Sequence, residues 1–292
     1  MFTDFLQNCI DGLMVGSGYA LLALGFTMVF GVMKRLNLSY GPSIMLGAYV
    51  GTWLYLNVEQ NAWLVLFGTI AGTIVVGIYV ERLCFSTISR DSTIASMVSS
   101  FVIWMQLEEI AMHLLPERTY PFPAFFTTTR FEFGPFYARS EHLTMFILML
   151  IIVVILHFFL YRTRPGLAIR AVSDNPLASL YIGIDRSMTL FLAFFIVSLL
   201  GGIAGAMTAA AVGVLSPVII LPLTIKGLIV TVIGGLGSIP GAIIAGLFVG
   251  GFENFFLYVR GIDERDMDVV AILFSFLVFR PNGIFSKTIN RD

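Results

Sequence analysis

Only two cysteines and three histidines occur in the 292 residues, and they share no spacing that suits a bound metal. Charge is scarce as well. Asp, Glu, Lys and Arg together make up 12% of the chain, and the net charge is −1, so no nucleic-acid partner is expected. There is no Gly-x-x-x-x-Gly-Lys-[Ser/Thr] stretch and therefore no nucleotide cradle. No serine sits in a Gly-x-Ser-x-Gly elbow, and Gly235-x-Gly237 lies in an apolar region without the rest of a dinucleotide fingerprint. A hydrolase or oxidoreductase has nothing here to rest on, and no catalytic residue, cofactor or metal is expected on the chain itself.

What is abundant is apolar sequence. Hydrophobic residues make up 58% of the chain and the mean hydropathy is +0.91. A crossing of the hydrocarbon core needs roughly 20 apolar residues. Good candidates are 12–33, 38–58, 62–80, 94–115, 143–160 and 188–212. The stretch 223–259 is too long for one crossing, and Gly234-Gly-Leu-Gly-Ser-Ile-Pro-Gly241 interrupts it, which suggests a half-helix or re-entrant piece followed by a full span. Residues 267–279 are short for a span. The expected fold is an all-α integral membrane bundle of about 8–9 segments, with broken or re-entrant helices, a weak internal repeat and a single domain over 1–292.

Orientation follows the placement of Lys and Arg. Lys34, Arg35, Arg82, Arg90, Arg162, Arg164, Arg170, Arg186, Arg280, Lys287 and Arg291 fall on one side, which is read as cytoplasmic and as holding the C-terminus. The first residues lack the positive region of a secretory signal, so the opening segment is expected to remain as a span. Cys9 and Cys84 then lie on opposite sides and cannot pair. Residues 114–141 form the one sizeable external loop.

Two segments align without a gap. Ser39-Tyr-Gly-Pro-Ser-Ile-Met-Leu-Gly-Ala-Tyr-Val-Gly51 matches Ser238-Ile-Pro-Gly-Ala-Ile-Ile-Ala-Gly-Leu-Phe-Val-Gly250 at both serines, Ile44/Ile243, Gly47/Gly246, Val50/Val249 and Gly51/Gly250. Read as breaks in membrane helices, they free backbone groups that only buried or cavity-lining positions tolerate. Corresponding breaks in two halves point to a solute path. Ser39, Tyr40, Gly41, Pro42, Ser43, Gly234, Gly235, Gly237, Ser238, Pro240 and Gly241 are therefore expected along it. Glu253, the span charge hardest to explain by solvent exposure, is added to them.

Other intramembrane charges have plainer readings. Glu108, Glu109 and His113 suit an outer polar patch or a helix contact, and Lys226 can snorkel to the headgroups. The pairs Gly12/Gly16, Gly47/Gly51, Gly68/Gly72, Gly201/Gly205 and Gly246/Gly250 suit close helix approach. In 161–187, Asp174 or Asn175 can cap a short helix, Pro176 fits its first position and Gly183 its stop. Leu177, Leu180, Tyr181 and Ile184 lie at helical spacing. A helix this short must dock on something, either the bilayer, the protein's own spans or a partner.

Five blocks, in order, resemble the permease subunits of branched-chain amino-acid-type ABC importers. They are 16–31 (Gly16-Ser-Gly-Tyr-Ala to Gly31), Asn37-Leu-Ser-Tyr-Gly41 with Leu46-Gly-Ala-Tyr49, Gly166 to Ile184, Gly234 to Ala242, and Arg280-Pro-Asn-Gly-Ile-Phe285. The resemblance covers essentially the whole chain. It implies a paralogous permease partner, cytoplasmic ATPase subunits that bind ATP and Mg²⁺, an extracytoplasmic substrate-binding protein, and a bacterial inner-membrane location. The loop carrying Arg170, Ala171, Asp174, Asn175, Pro176, Ala178, Tyr181 and Gly183 becomes the ATPase-coupling segment. Where the family has Phe-Ala-His, this chain has Leu-Ser-Tyr followed by Pro42, so urea, short amides or other amino acids stand beside branched-chain cargo. An ion-coupled secondary transporter using Glu253 or Glu109 is the alternative from another class.

Overall fold

The computed structural model describes residues 2–87, 93–114, 119–125, 130–133, 136–260, 265–280 and 283–285. Helices dominate: α1 (Phe2–Met33), α2 (Tyr40–Asn57), α3 (Ala62–Val80), α4 (Thr93–Leu114), α5 (Ser140–Arg162), α6 (Arg164–Asp174), α7 (Pro176–Tyr181), α8 (Arg186–Val212), α9 (Pro217–Gly234), α10 (Ile239–Arg260) and α11 (Arg265–Phe279). A π-helical turn, Glu81–Ser86, prolongs α3. Six stretches are long and apolar enough to cross a membrane: Phe5–Met33, Ala62–Ser86, Ile94–His113, Ser140–Arg162, Arg186–Val212 and Ile239–Tyr258. The protein is thus an all-α membrane bundle.

The centre of the bundle is a seam of glycines between α1 and α10. A Cβ on Gly250 would stand 2.3 Å from Gly16 Cα, and one on Gly16 would stand 2.6 Å from the Gly246 carbonyl oxygen. Side chains are excluded, so the two antiparallel backbones touch. The same arrangement joins α2 to α3, where Gly47 and Gly51 meet Thr69, Thr73 and Val65, and Gly68 and Gly72 meet Gly51 and Gly47. Gly201 and Gly205 on α8 make room for Tyr40 and Ile44 of α2. All five small-residue pairs are consumed by packing inside the chain.

The two aligned segments do not interrupt helices; each starts one. Tyr40 opens α2 and Ile239 opens α10, each directly after the matching serine. Pro42 and Pro240 therefore sit in first turns, where a missing N–H is no loss because those groups have no intrahelical acceptor. The half-helix expected before Gly234 is instead the 18-residue α9, which starts at Pro217 and carries Pro222 inside it.

Short strands tie one end of the bundle. β1 (Tyr120–Pro121) pairs antiparallel with β4 (Val214–Leu215), joining the α4–α5 connection to the α8–α9 turn. β2 (Arg130–Phe133) and β3 (Phe136–Arg139) form a hairpin. Gln7 of α1 clamps Tyr137 of β3 through two hydrogen bonds, 2.6 Å to its carbonyl and 3.0 Å from its N–H. The expected external loop is thus locally structured, although 115–118, 126–129 and 134–135 lie outside the described residues. At the opposite, basic end lie the C-termini of α1, α5 and α9 and the whole of α6.

Candidate functional site

Three turns build the site at the basic end. Lys34 ends α1 with φ +56°, donating its N–H to Phe30 at 2.8 Å. A left-handed lysine costs about 1–2 kcal/mol, and this fixes where its side chain leaves the helix. Gly235 and Gly237 turn α9 into α10 with φ of +101° and +89°. Ser238 then caps α10, its Oγ accepting from Gly241 N–H at 3.2 Å. Gly234 and Gly241 are in backbone contact across this turn. The third turn follows α5. Thr163 caps α6 by accepting from Gly166 N–H at 3.2 Å, and Gly166 lets α6 fold back on the Phe159 carbonyl.

Between these turns lies a chamber of about 580 Å³. Its walls are Thr27, Met28, Gly31, Val32 and Lys34 of α1 and its end, Leu160 and Tyr161 of α5, Arg170, Ser173 and Asp174 of α6, and Leu236 to Pro240 of the α9–α10 turn. Arg170 lies over the Tyr161 ring at 4.1 Å. Ser173 Oγ donates to the Gly31 carbonyl at 2.5 Å, binding α6 to the end of α1. Thr27 is 1% exposed, and its Oγ1 has no hydrogen-bond partner among the described residues.

The structure thus brings together Gly237, Ser238 and Pro240 with Arg170 and Asp174, two groups the sequence assigned to different tasks. Ser39, Tyr40 and Ser43 are not in the chamber. They are buried, with Ser39 bonded to Asn37 Oδ1 through its N–H at 3.1 Å and its hydroxyl at 2.9 Å. Tyr40 packs edge-on against Phe26, and a Cβ on Gly41 would strike Thr224. This aligned segment is buried core. Glu253 is also remote from the chamber.

Glu253 and Lys226 are partners. Lys226 Nζ donates to Glu253 Oε1 at 2.7 Å, with side-chain exposures of 12% and 1%. Lys226 also stands 5.8 Å from the Tyr19 ring. The snorkelling expected of Lys226 does not occur, because the acid on α10 is within reach. Glu109 and His113 are exposed and contact each other at 3.3 Å, while Glu108 accepts from Trp104 Nε1 at 3.2 Å. They form the polar patch that sequence suggested.

Beyond the chamber, Asn175 rather than Asp174 caps α7, its Oδ1 accepting from Leu177 and Ala178 N–H at 3.1 and 3.0 Å. Pro176 takes the first position, and Gly183 turns the chain with φ +81°. Leu177, Tyr181 and Ile182 are exposed, Tyr181 at 91%. Sequence reasoning missed Thr27, Lys34 and Ser173. Thr27 and Gly31, four apart on α1, share a face, but nothing in the sequence says that this face is hollow at one end.

The comparisons with known proteins agree on a family. The family described as "Branched-chain amino acid transport system / permease component" matches residues 8–279. The chain is 28% identical to the high-affinity branched-chain amino acid transport system permease protein BraD of Pseudomonas aeruginosa, covering 97% of this chain and 96% of that one. It is 26% identical to LivH of Escherichia coli K12, a protein of the same description, over 98% of this chain and 97% of that one. Among solved structures, PsaBC from Streptococcus pneumoniae in complex with Fab superposes with a TM-score of 0.54 at 12% identity, covering 96% of this chain and 95% of that one. At that identity the likeness concerns the fold alone.

Proposed function

The chain belongs to the permease-component family of branched-chain amino acid transport systems, and from that premise we propose that it is the conduit subunit of an ATP-driven importer of amino acids with aliphatic side chains. It is a multi-pass membrane transport subunit rather than a catalytic one. In the proposed assembly it pairs with a paralogous permease, receives solute from an extracytoplasmic binding protein, and is driven by cytoplasmic ATPase subunits that hold ATP and Mg²⁺. The basic end faces the cytoplasm, with the C-terminus on that side. The shorter helices α2, α9 and α11 complete nine membrane segments, and the matched starts of α2 and α10 are the trace of an internal repeat.

The observation that carries this reading is a shared wall. Arg170, Ser173 and Asp174 line the chamber and belong to the same segment as the exposed apolar face of α7. A protein docked on Leu177 and Tyr181 would act on the chamber through one short, capped unit. ATP-driven closure of the ATPases then pushes α6 against the end of α1 and the α9–α10 turn, and the path opens alternately outward and inward. The nucleotide supplies the difference in stability between the two states. An ion-coupled carrier has no comparable support: Glu109 is exposed, and Glu253 is neutralised by Lys226.

The test is reconstitution in proteoliposomes, alone and with the three partner types, using a panel of amino acids, urea and short amides. Uptake of leucine, isoleucine or valine is expected only with ATP and all components present. Gradient-driven uptake by the chain alone would refute the reading.

A further inference from the structure

We infer that the chamber at the basic end is a binding site for an amino-acid zwitterion with an aliphatic side chain, and that its occupancy slows import from the cytoplasmic side. The inference rests on the reading of the chain as an amino-acid permease and names what its inner face recognises.

The chemistry is two-ended. Lys34 and Arg170 offer positive charge to a carboxylate, and Asp174 offers the counter-charge to an ammonium group. Arg170 stacks on the Tyr161 ring at 4.1 Å. Met28, Val32, Leu160, Leu236 and Ile239 supply apolar wall. A volume of about 580 Å³ falls within the usual range for small-molecule sites. Thr27 gives the independent sign of a ligand. Its side chain lines the chamber while 1% exposed, and its hydroxyl has no partner among the described residues. A buried hydroxyl is seldom left so; the oxygen is covered in the state seen here, and a carboxylate in the chamber would accept from it once the Thr27 side chain turns toward the chamber.

Regulation follows from which elements the ligand would bridge. Arg170 and Asp174 stand on α6, Thr27 on α1, and Ser238 at the start of α10. A solute bound to all three favours the spacing seen here. Any stroke that moves α6 away from α1 must first break those contacts, as linkage requires.

The experiment uses the complete importer in proteoliposomes whose lumen, the cytoplasmic side, is loaded with ATP and with or without leucine. Lumenal leucine is expected to lower the initial rate of uptake and of ATP hydrolysis several-fold. At equal concentration, 4-methylpentanoate and 3-methylbutylamine, each lacking one charged end of leucine, are expected not to do so. Thr27→Val keeps the shape and removes only the unpaired hydroxyl. It is expected to raise the half-inhibiting leucine concentration about five- to tenfold relative to its own uptake into empty vesicles. Binding of labelled leucine to the purified complex without binding protein reads the chamber even where uptake is weak. Failure of uptake into empty vesicles sinks the proposed function. Intact uptake that ignores lumenal leucine, an unchanged half-inhibiting concentration in Thr27→Val, or no leucine binding overturns the present inference.

Discussion

Glu253 and Lys226 are a buried ion pair whose removal tests the packing of α9 on α10. The contact is short, 2.7 Å, and Glu253 is 1% exposed, so neither charge has ready access to water. Deleting one partner strips the other buried charge of this contact, and breaking a buried pair costs about 3–5 kcal/mol. At roughly 2–4 °C per kcal/mol for a chain of this size, Glu253→Gln or Lys226→Met should lower the apparent Tm by about 6–20 °C. The double variant Lys226→Met with Glu253→Leu removes both charges and keeps the volume. It should recover most of the loss, since apolar replacement of a buried pair is often neutral or stabilising. The assay is thermal unfolding of the purified protein in one detergent at one scan rate, arranged as a double-mutant cycle. If the double variant falls by the sum of the singles, the two side chains do not interact and the reasoning fails.

Three further outcomes are expected. Gly250→Ala places a Cβ 2.3 Å from Gly16 Cα and should destabilise by about 1–3 kcal/mol, whereas Gly251→Ala, with open space around its Cβ, should leave the stability, read from thermal unfolding, within about 0.5 kcal/mol of the parent. Asn175→Ala removes the cap of α7 at a cost of about 1 kcal/mol to that helix. Under the proposed function it lowers uptake per ATP hydrolysed, measured as a transport-to-hydrolysis ratio in proteoliposomes. Glu109→Gln and His113→Gln, both on an exposed face, should leave uptake unchanged; loss of uptake would move that patch into the mechanism.

Much of this architecture was legible in the chain because glycine spacing states a physical requirement. Gly12/Gly16 and Gly246/Gly250 could be read as close-approach pairs, and they meet each other. The α7 signal was equally direct, since Asn175-Pro176 with Gly183 seven residues after the proline specifies a start and a stop. What misled was the Gly-Pro pattern at 41–42 and its mirror at 240–241. Proline near the first turn of a helix and proline breaking a helix look alike in sequence; only the backbone before it separates them. The partner of Glu253 was hidden for another reason. Lys226 lies 27 positions away on a different helix, and nothing local encodes that pairing. The chamber was the least legible feature, because a void is made by four separate elements and belongs to none of them.

The glycine seam also bears on how the protein is made. α1 leaves the ribosome well before α10, and 83% of an apolar 18-residue stretch within it is buried in the finished bundle. Its principal cover is α10, whose Gly246 to Gly251 stretch follows about 240 residues later, or about 10–50 s of synthesis. For that interval a nearly side-chain-free stripe on α1 faces lipid or insertion machinery. A newborn α1 is therefore a sticky intermediate, open to pairing with any other glycine-striped helix nearby. Slowing elongation between α8 and α10 should increase misassembled, protease-sensitive chains, whereas a pause after α10 should not.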